Sequence, residues 1–269
     1  MSLTGFTGNW GFQPWEFEKA FDGIETRNLT TSWNVPLCLS VMYIGMIVGG
    51  KRHMDAKKSY NLRKPMLLWS TLLAIFSIVG SLRTLTCVYY LYKDAGIRGL
   101  VCDSGIYTRP ITRFWTILFV YSKFIEYGDT AFIIFRKQNV ICLHWYHHLT
   151  VSLFSYQIFF KYCNFVGAAV FMSLNFLIHA FMYTYYAVRA AGVRLPRLIS
   201  VFITASQIVQ MVLGCATMFS LIAWRSQTCV SSDQYLWSGT IMYGSYLVLF
   251  VHFFYNAYLK KKPNLQETP

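Results

Sequence analysis

Three imidazoles lie within five residues, His144-Trp145-Tyr146-His147-His148, inside an otherwise apolar run. An imidazole can accept or release a proton, attack a carbonyl carbon or hold a metal, so a cluster of them is a candidate reaction centre. If the run is helical, His147 falls about 60° to one side of His144 and His148 about 40° to the other, so one face carries all three. A lone histidine in such a run is ordinarily a satisfied core residue. Three on one face, in a chain with only six histidines, point to a site.

The elements that position this cluster follow from composition. The 269 residues are 55% hydrophobic and 13% charged, with a mean hydropathy of +0.39, whereas soluble domains carry about 25% charged residues. The chain therefore reads as an all-α, polytopic membrane protein. A net charge of +13 raises the question of nucleic acid, but in a membrane protein basic residues first report loop orientation, and no nucleic-acid partner is expected. Residues 1–33 are polar and aromatic and lack a cleavable leader pattern, so the first apolar helix is expected to act as an uncleaved anchor.

Apolar runs of roughly 20 residues cross about 30 Å of hydrocarbon. Seven such spans are predicted, near 34–50, 66–92, 112–135, 139–160, 164–187, 198–224 and 235–258. The expected organisation is a lumenal segment 1–33, one membrane catalytic domain 34–258 and a cytoplasmic tail 259–269. With the C-terminus cytoplasmic, that side holds Lys51, Arg52, Lys57, Lys58, Arg63, Lys64, Arg136, Lys137, Arg189, Arg194, Arg197, Lys260, Lys261 and Lys262. The opposite side holds the shorter set Lys19, Arg27, Lys93, Arg98, Arg109, Arg113, Lys161 and Arg225. The bias favours an outward N-terminus.

In that orientation Asn28-Leu29-Thr30 is a usable glycosylation sequon. Cys102 and Cys229 fall in the two long outward loops, in an oxidising compartment, and a disulfide between them is the preferred pairing. Two free loop thiols remain the alternative.

Ionisable groups inside hydrocarbon each cost about 2.5 kcal/mol or more unless they are paired or line a cavity. The third span supplies Lys123, Glu126 and Asp129, spaced i, i+3, i+6 with opposite charges adjacent. They form a self-neutralising ladder, orient the histidines, or both. Arg83 in the second span is expected to snorkel towards the lumen. The fifth span aligns Asn175, His179, Met182, Tyr183 and Tyr186, and the sixth aligns Thr204, Gln207 and Gln210. Polar faces on spans 3 to 7 together describe one enclosed polar chamber.

The blocks Lys123-Phe124-Ile125-Glu126-Tyr127-Gly128-Asp129-Thr130, His144-Trp145-Tyr146-His147-His148, Asn175 to Tyr186 and Thr204-Ala205-Ser206-Gln207-Ile208-Val209-Gln210 resemble the four signature blocks of the ELO family of very-long-chain fatty acid elongases. They stand in the family's order and spacing, and the resemblance covers nearly the whole chain. The His-Trp-Tyr-His-His form is most similar to the subgroup of elongases 3 and 6, which favour saturated and monounsaturated acyl chains.

This resemblance implies a 3-ketoacyl-CoA synthase of the endoplasmic reticulum membrane that condenses a long-chain acyl-CoA with malonyl-CoA, releasing CO2 and CoA, with no cofactor and no metal. It also implies spans 2 to 7 surrounding a narrow tunnel, open to the cytosol and closed at the lumenal end. Ketoacyl-CoA reductase, dehydratase and enoyl reductase are the implied partner enzymes, with a homodimer also open.

Thioester condensation needs an acyl carrier, a means of decarboxylating malonyl and stabilisation of the resulting enolate. Cys142 lies off the histidine face and is a poor nucleophile candidate. The resemblance implies His147 as the nucleophile, giving an acyl-imidazole, with His179 as its partner across the tunnel. His144 and His148 would set protonation and bind the malonyl carboxylate or enolate. Asn175, Gln207 and Tyr183 are candidate donors to thioester oxygens, and Asp129 and Glu126 would orient imidazoles. Lys123, Lys137, Arg189, Arg194 and Arg197 are candidates for the CoA phosphates.

Two rivals remain at this level. A di-iron desaturase or hydroxylase uses histidine boxes, but needs about eight histidine ligands by analogy with known metal boxes. A seven-helix lipid receptor or carrier would hold a ligand in the chamber without chemistry.

Overall fold

The computed structural model describes residues 13–21, 33–105, 108–161, 166–225 and 229–260. Asn28 of the expected sequon, Cys163 and the Lys261-Lys262 pair lie outside these residues.

Every regular element among the described residues is helical: α1 (Glu16–Ala20), α2 (Asn34–Asp55), α3 (Arg63–Cys102), α4 (Pro110–Ile125), α5 (Tyr127–Phe135), α6 (Cys142–Lys161), α7 (Ala168–Ala190), α8 (Arg197–Ala223) and α9 (Asp233–Phe254), the last running into a π-helical turn, Tyr255–Leu259. Local chemistry sets several ends. Pro110 opens α4, where its missing N–H costs nothing. Gly167, with φ +81°, turns the chain into α7. The Ser232 hydroxyl accepts from the Tyr235 N–H at the start of α9. Gly96, at φ +63°, interrupts α3.

Among the described residues five helices, α2, α3, α7, α8 and α9 with its π turn, are long and apolar enough to cross a membrane, and the protein is a polytopic membrane protein. The predicted third and fourth spans look different. The third is not one rod: α4 ends at Ile125 and α5 begins at Tyr127. The fourth, α6, runs for 20 residues, but its three imidazoles lower its apolar character.

Helix neighbours form a closed circuit. α3 packs on α4, α4 on α6, α6 on α9, α9 on α8, α8 on α7, and α7 back on α3. α2 stands apart from this circuit and packs on α5 and α6. Small residues permit the closest approaches. A Cβ at Gly80 of α3 would lie 2.8 Å from the Phe176 ring of α7, and one at Gly214 of α8 would lie 2.5 Å from Tyr243 of α9. At the far end, Cys102 and Cys229 are bonded, with Cα atoms 4.9 Å apart. This ties the end of α3 to the approach to α9 and limits how far the unfolded chain can spread.

The expectation for Arg83 fails. Its side chain is buried and does not reach out to water. Its Nε donates to Glu18 Oε1 at 3.0 Å, its Nη2 pairs with Glu18 Oε2, and Nη2 also donates to the Gln13 carbonyl at 3.2 Å. A buried guanidinium is tolerated when its charge and donors are matched, and here α1 supplies the match. Part of the N-terminal segment is thus built into the helix bundle.

Candidate active site

Two cavities meet at the histidine face of α6, sharing His147, Asn175, Gln210 and Met211 in their walls. One, of about 670 Å³, is apolar, lined by Phe119, Val151, Ile158, Phe171 and Met172 among others. The other, of about 780 Å³, is lined by His144, His147, His148, His179, Gln207 and Tyr186 among others. The four expected histidines therefore converge on one polar space, and only His147 also borders the apolar one.

The helical spacing of α6 brings its imidazoles together. The rings of His144 and His148 are 4.4 Å apart, one turn from each other, and those of His147 and His148 are 5.6 Å apart. Tyr246 of α9 stands beside His147 at 4.9 Å between ring centres, and its hydroxyl donates to the His147 carbonyl at 3.3 Å. Nε2 of His144 lies 2.9 Å from Thr130 Oγ1, which lies 3.0 Å from the Tyr43 hydroxyl. α2, α5 and α6 thus jointly fix that ring. His148 is 7% exposed, and its Nδ1 is buried with no hydrogen-bond partner among the described residues.

A second cluster lies where α4 meets α7. Lys123 Nζ donates to Glu126 Oε1 at 2.7 Å and to Asn175 Oδ1 at 2.9 Å. Glu126 Oε1 also lies 3.6 Å from His179 Nδ1, while its other oxygen, Oε2, is buried without a partner among the described residues. An ammonium only donates, so it holds the Asn175 oxygen and leaves the amide NH2 as that side chain's donor at a point shared by both cavities.

Several expected roles move. Lys123 is not at a mouth facing CoA: it is 1% exposed, its charge committed to Glu126 and Asn175. Asp129 touches no imidazole. Its oxygens accept from Trp69 Nε1 and from the Tyr183 hydroxyl, each at 2.7 Å, so it reaches His179 only through Tyr183, whose ring is 5.4 Å from that imidazole. Tyr183 is accordingly occupied as a donor and lines neither cavity. Glu126 does face His179, and Gln207 lines the polar cavity. Cys142 is exposed and lines neither cavity.

The other basic candidates lie in or beside connections between helices, Lys137 after α5 and Arg189, Arg194 and Arg197 between the end of α7 and the start of α8. Lys137, in a left-handed conformation at φ 53°, donates to the carbonyls of Asp55 and Lys57. Arg197 donates to the Tyr258 carbonyl at 3.2 Å, and Arg189 and Arg194 are exposed.

Sequence reasoning missed Thr130, Trp69 and Tyr246 as supports of the site. Thr130 sits inside a quoted block, but a hydroxyl in a span reads first as a helix-internal donor. Trp69 and Tyr246 belong to apolar runs, where aromatics signal packing.

Residues 28–266 match the family described as ELO: GNS1/SUR4. The chain is 44% identical over 252 residues to very long chain fatty acid elongase 6 of Homo sapiens, covering 93% of this chain and 94% of that protein. It is 42% identical over 254 residues to very long chain fatty acid elongase 3 of Mus musculus, covering 93% and 91% respectively. A match of this extent, with the signature histidines gathered around one cavity, means that the chain belongs to the ELO (GNS1/SUR4) family of very-long-chain fatty acid elongases.

Proposed function

We propose that the chain condenses a long-chain acyl-CoA with malonyl-CoA through an acyl-imidazole on His147. The observation that carries this is the position of His147, bordering an apolar cavity on one side and a polar, histidine-lined cavity on the other. A fatty thioester needs that junction: an apolar space for its tail, a nucleophile at its carbonyl and a polar space for the head.

His147 attacks the thioester carbonyl, the C–S bond breaks, and CoA leaves as its thiol with a proton relayed by a neighbouring imidazole. Malonyl-CoA then enters the polar cavity and loses CO2. The electron pair of the broken bond becomes an enolate, whose carbon attacks the acyl-imidazole carbonyl and returns the imidazole as leaving group. The Asn175 amide, oriented by Lys123, donates to the oxyanion formed in these steps, and His179, backed by Glu126, holds or moves the proton. His144 and His148 face the malonyl carboxylate.

In this reading the chain crosses the membrane seven times. α4 and α5 together form one crossing and α6 another, and the circuit from α3 to α9 is a barrel around a tunnel closed at its disulfide-bearing, lumenal end. Residues 1–33 are lumenal, 34–258 form the membrane domain and 259–269 are cytoplasmic, in the endoplasmic reticulum. Arg189, Arg194, Arg197 and Lys137 then lie at the cytosolic mouth, where CoA phosphates arrive. Asn28 is the lumenal glycosylation position. Reductase, dehydratase and enoyl reductase act on the product.

The test is incorporation of labelled malonyl-CoA by membranes carrying wild type or His147→Ala, with an intact-mass search for an acyl adduct on the histidine peptide. Wild type elongates and forms the adduct, and His147→Ala does neither while remaining inserted. Elongation by His147→Ala at the wild-type rate would overturn the assignment.

A further inference from the structure

Residues 13–21 precede the stretch 28–266 that matches the family, yet they insert a fully buried carboxylate, Glu18, between α3 and α4. Its Oε1 bridges the seam, and its Oε2 ties the segment itself to α3. Oε1 accepts from Arg83 Nε of α3 at 3.0 Å and from Trp115 Nε1 of α4 at 2.8 Å, while Oε2 pairs with Arg83 Nη2 and accepts from the Trp15 N–H at 2.8 Å.

Two lines of packing run from this segment to the wall of the apolar cavity. In the first, the Trp115 ring, held by Glu18, lies 6.0 Å from Phe176, which lies 5.3 Å from Phe119, a lining residue. In the second, Phe21 packs on the cluster of Ile117, Val120, Tyr156 and Phe159, of which Val120 and Phe159 line the same cavity. Phe159 lies twelve residues beyond His147 on α6, about 18 Å along the helix. Of the backed residues, Phe159 is therefore the one remote from the reacting carbonyl, whereas the Phe119 ring, 4.5 Å from Lys123 Nζ, lies nearer the reacting end.

We propose that residues 13–21 form a strut that sets the length of acyl tail this cavity accepts, with Glu18 as the positioning residue that pins Trp115 and closes the α3–α4 seam. The inference rests on the reading that the apolar cavity holds the tail. A close-packed wall with a pinned aromatic behind it does not yield to extra methylenes. Once the indole is released, Trp115 can take another rotamer and the wall can give. Discrimination by about one methylene in an apolar pocket is worth about 10–200-fold, so the effect is measurable.

The experiment compares wild type, Trp115→Phe and the double variant Glu18→Leu/Arg83→Met on saturated acyl-CoA thioesters rising in two-carbon steps, each with labelled malonyl-CoA. Trp115→Phe removes the pinned N–H and keeps a ring, and the double variant removes the pin without leaving an unpaired buried charge. Both should raise kcat/KM for the thioester one step beyond the wild-type optimum about tenfold relative to the optimum itself. A length profile unchanged in both variants overturns the proposal while leaving the condensation intact. If both lose all activity, Phe21→Ala decides: a shift to longer substrates supports the strut, and a native profile overturns it. Failure of wild type to elongate any thioester would instead sink the reading of the site.

Discussion

Among the described residues two ion pairs are buried, and they are built on opposite plans. Lys123–Glu126 joins residues three apart, leaves Glu126 Oε2 without a partner among the described residues, and touches both His179 and a cavity-lining amide. Arg83–Glu18 joins residues 65 apart, and four donors fill its carboxylate. A buried carboxylate with a spare lone pair beside an imidazole can take part in proton movement, and that incompleteness is costly unless it serves chemistry. A carboxylate with every lone pair used has nothing left to offer a substrate. Its value lies in holding α1, α3 and α4 together. Burial alone does not separate a structural pair from a functional one, but the state of its remaining lone pairs does.

The largest effect should come from opening the filled pair. Glu18→Ala leaves Arg83 charged and buried, at a cost of about 3–5 kcal/mol. This appears as a lower unfolding midpoint in purified protein, with elongation of the optimal thioester retained below that midpoint. A midpoint equal to wild type would break the comparison, because the pair would then hold nothing.

Next comes the open pair. Asn175→Leu removes the donor that Lys123 orients, and kcat should fall about 10²–10³-fold, while the loss of one acceptor of the buried ammonium lowers the unfolding midpoint by less than Glu18→Ala does, at about 1.5–3 kcal/mol. Equal kcat in this variant would place the oxyanion elsewhere.

The smallest expected effect sharpens the boundary between the two plans. Trp69→Phe deletes one of the two bonds to Asp129 and should cost about 1 kcal/mol of stability, because Tyr183 still donates to that carboxylate. A loss of activity by hundreds of fold in thermally intact protein would move Asp129 from a support to part of the proton path.

The sequence by itself determined the solvent, the helical class and the candidate residue types of the site. Long apolar runs interrupted by few charges leave a chain in lipid no alternative to satisfying its backbone internally. A periodicity of 3.6 residues put His144, His147 and His148 on one face without knowledge of any neighbour, and the basic residues were sorted by span before any packing was known. Only the tertiary structure decided which partner each polar group meets. Lys123 and Asp129 share a block of eight residues, but one turns to Asn175 and Glu126 while the other turns to Trp69 and Tyr183. Arg83 read as a snorkelling cation because its counter-charge lies 65 residues earlier in a stretch of no evident pattern. Periodicity fixes the face of one helix, whereas hydrogen bonds between helices depend on the order in which they pack around the circuit. That order depends on the summed fit of many side chains, and no local stretch of sequence states it.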